Sequence, residues 1–211
     1  MVLRILILLA FVSLGTTLNA NALPCGTDGM TVVKAFDGKQ FVIYSFRKGV
    51  DIAFQIPGTD ISFPNGTTGP KRFIVDGVVF ETLFVPRTDF LKTKDEMSDV
   101  DVLRKHKEFE VNYLSKAPSP LTKFVELGPR ERPAGRQQPA FTFYLWQMIN
   151  PGDQRGARQF YLTTLSEGDV VVLSAIVADD SKEATAMMAF QSFASSFQHV
   201  LDKEQCPDTK K

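Results

Sequence analysis

The sequence predicts an α+β fold in which a largely antiparallel sheet of about nine strands is covered by two main helices. Most apolar runs alternate with a period of two and are separated by Gly-, Pro- and Asp-containing turns, a pattern typical of hairpin-connected strands. Two other segments have a helical period with one apolar face, so each can cover part of a sheet. At 211 residues and 44% hydrophobic composition, the chain is long enough for one packed domain.

Five strands and two hairpins are predicted in the first half of the chain. Asp37-Gly38-Lys39 and Asp76-Gly77 are turn signals, and Asp-Gly between two β-prone runs favours a type I′ turn. Residues 57–70 are rich in Gly, Pro, Thr and Asn and are predicted to be a loop. The predicted strands are Thr31–Phe36, Gln40–Phe46, Val50–Ile56, Lys71–Val75 and Val78–Val85.

A helix is predicted from about Ser98 to Lys116. Its apolar stripe runs through Val102, His106, Phe109 and Tyr113, which recur at helical spacing, while charged residues fill the positions between them. The prolines that follow Lys116 stop the helix.

The C-terminal half is predicted to be an antiparallel meander followed by a helix. In Ala140–Ile149 both the odd- and the even-numbered residues are mostly apolar, which predicts a central strand covered on both faces. The helix is predicted from about Ser181 to Leu201, with Asp180 and Glu183 as a capping pattern and His199 in its final turn. The meander strands are Thr122–Leu127, Ala140–Ile149, Ala157–Leu165 and Val170–Val177.

Residues 1–22 have the pattern of a cleaved secretory signal peptide. Arg4 supplies the positive charge, Ile5–Leu14 the apolar region, and Ala20-Asn21-Ala22 the small-x-small cleavage site. We expect residues 23–211 to form a single exported domain, periplasmic or secreted, without a membrane span after cleavage. An uncleaved anchor and a lipoprotein are the alternatives, and Pro24 before Cys25 is a poor lipoprotein site.

The two cysteines, Cys25 and Cys206, lie near the two ends of the expected mature chain. An even pair of cysteines in an oxidising compartment favours a disulfide, which here would join the two ends. A redox or metal role is the alternative. The chain lacks C-x-x-C spacing and has only His106 and His199 as histidine ligands, so the structural bond is preferred.

Charge and motifs exclude several function classes. The 24 basic and 24 acidic residues balance, so no global field draws the chain to nucleic acid or to an anionic membrane. The signatures of nucleotide-binding loops, of zinc proteases and of serine hydrolases are missing from the sequence. We therefore predict no cofactor, no metal and no nucleic-acid partner.

Four short patterns have an ordinary explanation beside a functional one. Ser45-Phe46-Arg47-Lys48 matches the S-x-x-K nucleophile motif, but it lies at the end of a predicted strand. Asp99 and Asp101 are ordinary helix-start residues rather than metal ligands. His106 is interpreted as a core or boundary histidine, with a general base as the alternative. Asn65-Gly66-Thr67 is a glycosylation sequon, which matters only in a glycosylating host.

The loop from Gly128 to Arg136 is the one local charge anomaly. Arg130, Arg132 and Arg136 against a single glutamate give it a net charge of +2, and guanidinium groups bind carboxylate and phosphate well. We interpret it as the tip of a solvated hairpin and as the first candidate for an anionic partner. Because turns of a meander alternate between the two ends of a sheet, the basic turn with Arg155 and Arg158 should lie at the opposite end.

From about Phe141 to Leu201 the chain resembles the PsbP-like α/β/α sandwich family. The resemblance lies in a long strand, a strand ending near Leu165, the turn Glu167-Gly168-Asp169, the strand Val170–Val177 and a terminal helix with two Ser-Phe pairs. The family includes photosynthetic accessory subunits, exported bacterial proteins and a nuclear-transport factor. The resemblance implies a binding or accessory domain without catalytic machinery of its own, and no functional residue of the family matches a motif here.

We therefore expect an exported, non-enzymatic binding or accessory protein with an unknown partner in the cell envelope. One alternative is a carrier of a small apolar ligand, enclosed between the phenylalanine-rich sheet and the helices. The other is a hydrolase whose site residues lie far apart in the sequence, with His106 as base. A deep pocket with a pKa-shifted acid–base pair would favour an enzyme, and an internal cavity would favour the carrier.

Overall fold

The structure is a computed structural model that describes residues 29–35, 37–47, 50–64, 71–92, 96–116, 123–134, 140–149 and 158–199. Its helices are α1 (Asp99–Leu114) and α2 (Glu183–Ser196), with two short 3-10 helices at Arg87–Asp89 and Asp180–Lys182. Its strands are β1 (Gly29–Lys34), β2 (Gln40–Arg47), β3 (Val50–Pro57), β4 (Ile61–Ser62), β5 (Lys71–Val75), β6 (Val78–Pro86), β7 (Lys123–Arg132), β8 (Phe141–Ile149), β9 (Arg158–Ser166), β10 (Asp169–Val177) and β11 (Gln198–His199).

These strands form two antiparallel sheets. The small sheet has the order β1-β2-β3-β11, and the large sheet has the order β4-β5-β6-β10-β9-β8-β7. The predicted α+β class, with largely antiparallel strands and two main helices, is confirmed. The division into two sheets was not anticipated, and the two-residue strands β4 and β11 lay inside segments predicted as loop and helix.

The large sheet carries a different layer on each face. Helix α1 packs on β8 and β9 over one face, while α2 and the small sheet share an aromatic core on the other. Strand β8 shows how the sequence produces both layers. Phe143 of β8 belongs to the core beneath α2, and the next residue, Tyr144, belongs to the core beneath α1. The prediction that β8 is covered on both faces is confirmed.

Two tight hairpins organise the large sheet. Asp76 and Gly77 both have positive φ, 47° and 81°, as a type I′ turn requires, so the predicted Asp-Gly hairpin between β5 and β6 is confirmed. Glu167 and Gly168, with φ of 46° and 97°, repeat the arrangement between β9 and β10. These two turns pair β5 with β6 and β9 with β10, and β10 lies between β6 and β9 in the sheet.

Helix α1 begins where the sequence predicted. Ser98 is its N-cap and accepts a hydrogen bond from the Asp101 amide at 3.2 Å. Val102 and His106 are buried, but Tyr113 is 68% exposed, so the predicted apolar stripe is wrong at its last member. The fully buried residues of α1 all lie in its first half. In its second half Phe109, Val111 and Leu114 are partly buried and pack against the same core.

Helix α2 differs from the prediction at both ends. It ends at Ser196, because Phe197 has φ −55° and ψ 129°, and the chain then pairs with β3. His199 therefore lies in β11 rather than in the final helical turn. At the other end Asp179, not Asp180, accepts the hydrogen bond from the Ser181 amide at 2.9 Å.

Several sequence predictions lie outside the described residues. They are the signal peptide at residues 1–22, the Cys25–Cys206 disulfide, the sequon at Asn65 and the side chain of Arg136. In the part of the chain that the structure does describe, neither helix is long and apolar enough to cross a membrane.

Candidate binding cleft

The arginine segment is a strand over part of its length, which corrects the predicted loop. Strand β7 continues through Arg132, with a bulge between Glu126 and Gly128. Gly128 adopts φ +87°, and Pro129 is tolerated because β7 is the last strand of the large sheet. The bulge lets a segment with strong turn signals remain paired with β8.

Arg132 binds the end of α2. Its Nη1 donates to the carbonyl oxygens of Ala194 (2.9 Å) and Ser195 (3.0 Å), and its Nη2 donates to the carbonyl oxygen of Phe197 (2.7 Å). Its guanidinium carbon lies 4.8 Å from the ring centroid of Phe141. Burial lowers the pKa of Arg132. The last carbonyls of a helix carry partial negative charge, so this arginine acts as a C-terminal cap.

Of the three arginines in the predicted anion-binding loop, the structure describes Arg130 and Arg132, which have different surroundings. Arg130 is exposed on β7, and Arg132 is engaged by α2. Arg158, at the start of β9, lies at the other end of the sheet, as predicted. Arg132 pairs with Phe141 at the first residue of β8, whereas Arg158 pairs with Ile149 at its last residue. Arg158 forms ion pairs with Glu183, at 2.8 Å, and with Asp180. Both residues of the predicted capping pattern therefore bind this arginine.

His106 is a core residue in the structure. It is 0% exposed beneath α1, with the ring of Phe90 packed edge-on at 5.4 Å. The Oε1 atom of Glu110 lies 3.5 Å from Nε2. Because no surface of His106 reaches solvent, a substrate has no path to it in this conformation. The geometry thus favours the interpretation as a core histidine over that as a general base.

The other short patterns also take their ordinary explanation. Ser45 is buried in the middle of β2, whereas the S-x-x-K chemistry needs a serine at a helix N-terminus. Asp101 binds Ser98 and Arg104 at the start of α1, as expected of a helix-start carboxylate. Within the described ranges, no group of three or more His, Cys, Asp or Glu residues is placed to hold a metal ion.

The fold creates one nucleophile–base contact that the sequence did not reveal. The Nε2 atom of His199 in β11 lies 2.9 Å from the Oγ atom of Ser166 in β9. The Ser166 side chain is buried at 2% exposure, and the His199 ring packs edge-on against Phe141 at 5.5 Å. The contact joins the small sheet to the large one, and the burial of Ser166 withholds it from a substrate.

A surface cleft of about 330 Å³ opens between the two sheets. Phe41 of β2 forms its buried floor, and Val32 and Lys34 of β1 form one wall. The other wall is the segment 59–63, in which Ile61 and Phe63 supply apolar surface. Phe63 is 50% exposed and leaves an apolar surface at the mouth of the cleft.

The second wall is fixed by Asp76 in the β5–β6 turn. Its carboxylate accepts hydrogen bonds from the amides of Thr59 (3.2 Å) and Asp60 (3.0 Å) and from the Thr59 hydroxyl (3.1 Å). Burial alone would raise the pKa of Asp76, but these hydrogen bonds and Lys182 together lower it. Gly58 permits the close approach, since a Cβ atom there would lie 2.2 Å from Val75.

Lys34 supplies the cationic group of the cleft. Its Nζ atom donates to the carbonyl oxygen of Thr59 at 3.1 Å and lies 5.7 Å from the ring centroid of Phe41. An ammonium group has three donors, so two remain for other acceptors. Among the side chains that the structure describes, none offers Lys34 a carboxylate at ion-pair distance. The cleft therefore combines an apolar floor with a cation, and Asp60 adds a carboxylate to the opposite wall.

Sequence reasoning missed this cleft because its walls belong to different sheets. Residues 57–70 were interpreted only as a loop, and nothing in the local pattern shows that Ile61 faces β1. One signal was available. Phe63 is a large aromatic residue inside a Gly-, Pro- and Thr-rich segment, where most side chains are polar and small.

Comparison with known proteins gives a likeness of fold. The chain is similar to the solution structure of cyanobacterial PsbP (CyanoP) from Synechocystis sp. PCC 6803, with a TM-score of 0.45 and 14% sequence identity. The match covers 82% of this chain and 94% of that one. No protein-family model matches the chain. No curated protein matches it either.

Proposed function

We propose that the chain is an exported, non-enzymatic binding or accessory protein, and that the cleft between β1 and β4 takes an apolar group of its partner. The observation that carries this proposal is the half-exposed ring of Phe63 above the buried floor of Phe41. A binding site with an apolar floor and a few polar groups is the ordinary form of a recognition pocket.

The surroundings of the candidate catalytic groups support a non-enzymatic role. His106 is enclosed beneath α1, and Ser166, which contacts His199, is buried. Burial raises the pKa of Tyr161, with Glu110 and Glu81 adding to the shift, so this phenol stays protonated. General acid–base and nucleophilic catalysis both need such groups within reach of a substrate.

The proposed site of action is the periplasm or the cell exterior. The support for export is the signal-peptide pattern of residues 1–22. The balance of 24 basic and 24 acidic residues favours a partner recognised by local contacts rather than by long-range charge.

A carrier of a small apolar ligand is the second candidate function. The cleft of about 330 Å³ falls within the size range of small-molecule sites, although it opens at the surface and is not an internal cavity between sheet and helices. Native mass spectrometry of the natively exported chain separates the two roles. A carrier retains a bound small molecule, and a partner-binding protein is recovered at the mass of the polypeptide alone.

The proposed site is tested with anilinonaphthalene sulfonate, a probe with an apolar body and an anionic group. We expect saturable fluorescence enhancement with one site per chain and about tenfold weaker binding by Phe63→Ser. The estimate follows from the loss of roughly 1.5 kcal/mol of aromatic contact. The measurement is a fluorescence titration, with circular dichroism to check that the variant is folded.

Tyr113→Ser is the matched control, since Tyr113 is also an exposed aromatic residue but lies on α1, away from the cleft. It should bind the probe as the unmodified chain does. Binding that is unaffected by Phe63→Ser, or that falls equally in both variants, would contradict the proposed site.

A further inference from the structure

We propose that the occupant of the cleft is an extended polypeptide segment of a partner protein, which adds to the small sheet as a strand beside β1. This inference rests on the proposed function, and it specifies the partner's chemistry. A strand donates and accepts backbone hydrogen bonds along an exposed sheet edge, while its alternate side chains enter neighbouring pockets.

The register of β1 against β2 decides which backbone groups face outward. The Ala35 amide donates to the carbonyl oxygen of Gln40 at 2.9 Å, and Lys34 pairs with Phe41. In an antiparallel pair, hydrogen-bonded and non-hydrogen-bonded residue pairs alternate. The backbone N–H and C=O groups of Val33 and Thr31 therefore form hydrogen bonds with β2, as the Ala35 amide does.

The residues between them present their N–H and C=O groups to the open edge. These residues are Met30, Val32 and Lys34, and the last two also line the cleft. Outward groups thus recur at every second residue, about 6.6–6.8 Å apart. An extended polypeptide repeats its own donors and acceptors at this interval, whereas a small apolar ligand carries no such series.

The other outer strands lack these properties. The edge strand β7 carries a bulge at Gly128, a proline at position 129 and alternating charges, which are three devices that discourage strand pairing. Strands β4 and β11 are two residues long. Strand β1 has six residues and pairs with β2 in an unbroken register. In the part of the chain that is described, β1 is the edge best suited to strand addition.

Lys34 is the one residue of β1 that would ordinarily discourage pairing, because a lysine on an edge strand repels another strand. Its side chain is instead drawn inward, to the carbonyl oxygen of Thr59 and the ring of Phe41. There it leaves the edge accessible and offers two ammonium donors. Asp60 lies on the opposite wall, so the charges of the cleft are mixed, and it is the two remaining donors of Lys34 that favour an Asp or Glu in the partner segment, beside an apolar residue.

The test begins with selection of random dodecapeptides displayed on phage, with the full mature chain as target. Affinities of the selected peptides, synthesised with capped ends, are then measured by fluorescence anisotropy against the chain and against Val32→Pro. Proline removes the outward N–H of Val32 and is tolerated on an edge strand. We expect Val32→Pro to weaken peptide binding at least about tenfold. We also expect the selected peptides to carry an acidic residue and to bind more weakly as the salt concentration rises.

Two controls isolate the backbone contribution. Val33→Thr alters the adjacent side chain and keeps every backbone donor, so it should bind the peptide normally. Methylation of alternate peptide nitrogens, which leaves peptide side chains unchanged, should abolish binding. Circular dichroism and retained binding of anilinonaphthalene sulfonate show that Val32→Pro is folded.

The possible outcomes separate this inference from the proposed function. Strand addition is overturned if no peptide is selected, or if peptides bind Val32→Pro as tightly as the unmodified chain. If the probe still binds in a Phe63-dependent way in that case, the cleft remains a binding site. If neither probe nor peptide depends on Phe63, both proposals fail. A dimer of the chain that Val32→Pro dissociates would assign the edge to a second copy and overturn the inference.

Discussion

Replacing Arg132 with alanine is expected to lower the free energy of unfolding by about 2–4 kcal/mol. The guanidinium donates three charge-assisted hydrogen bonds, to the carbonyl oxygens of Ala194, Ser195 and Phe197. Each such bond contributes roughly 1.5–3 kcal/mol, and the contributions are not fully additive. Alanine also leaves these carbonyls at the helix end without the positive charge that complements the helix dipole.

Urea denaturation followed by circular dichroism measures this effect, and Arg130→Ala is the matched control. Arg130 lies two residues away on the same strand with its side chain exposed, so its loss should change stability by less than about 0.5 kcal/mol. Arg132→Lys should recover part of the stability, because one ammonium cannot reach all three carbonyls. Equal stability of Arg132→Ala and Arg130→Ala would show that Arg132 is not a helix cap.

Replacing Phe193 with alanine is expected to cost about 3–5 kcal/mol, the largest effect that we predict. Phe193 is 0% exposed on α2, and its ring centroid lies 4.7 Å from that of Phe54 in β3 and 6.1 Å from that of Phe143 in β8. One ring therefore contacts the small sheet, the large sheet and its own helix. Its removal leaves a cavity where the two sheets and α2 meet.

The same denaturation experiment tests this prediction, with Met188→Ala as the control on the same helix. Met188 is 53% exposed, so its truncation should change the unfolding free energy by less than about 0.5 kcal/mol. A cost for Phe193→Ala below about 1 kcal/mol would mean that α2 is not held between the sheets as described.

Local sequence signals predicted those elements whose causes are local. Asp76-Gly77 specifies a turn that needs two positive φ values, so the β5–β6 hairpin followed from two residues. Ser98 caps α1 through a contact three residues away, and the helix begins at Asp99 as the pattern indicated. Such interactions are complete within a few residues and can be identified from sequence.

The misplaced elements depend on residues far apart in the chain. Arg132 binds carbonyls 62 to 65 residues further along, and no local pattern distinguishes it from Arg130. Helix α2 was predicted to reach Leu201 because its apolar period continues, but pairing of His199 with Ile52 of β3 draws the last residues into a strand. Tertiary pairing outweighed helical periodicity there.

The cleft could not be predicted from the sequence for the same reason. Its walls, β1 and the segment that contains β4, belong to different sheets, and Asp76 holds Thr59 and Asp60 of that segment by hydrogen bonds. Charged and nucleophilic residues are the ones that stand out in the sequence. The structure places Arg132 at the end of α2 and His106 in the core, and leaves the apolar cleft beside an open strand edge as the candidate for function.

The claim on which the account depends is that the outer edge of β1 is open to a partner. Amide hydrogen exchange of the free, full mature chain, resolved by residue with nuclear magnetic resonance, tests it most directly. We expect Thr31 and Val33 to exchange slowly, because their amides bond to β2, and Met30, Val32 and Lys34 to exchange at least about tenfold faster. Equally slow exchange of all five amides would show that another part of the chain already covers this edge, and would contradict the account.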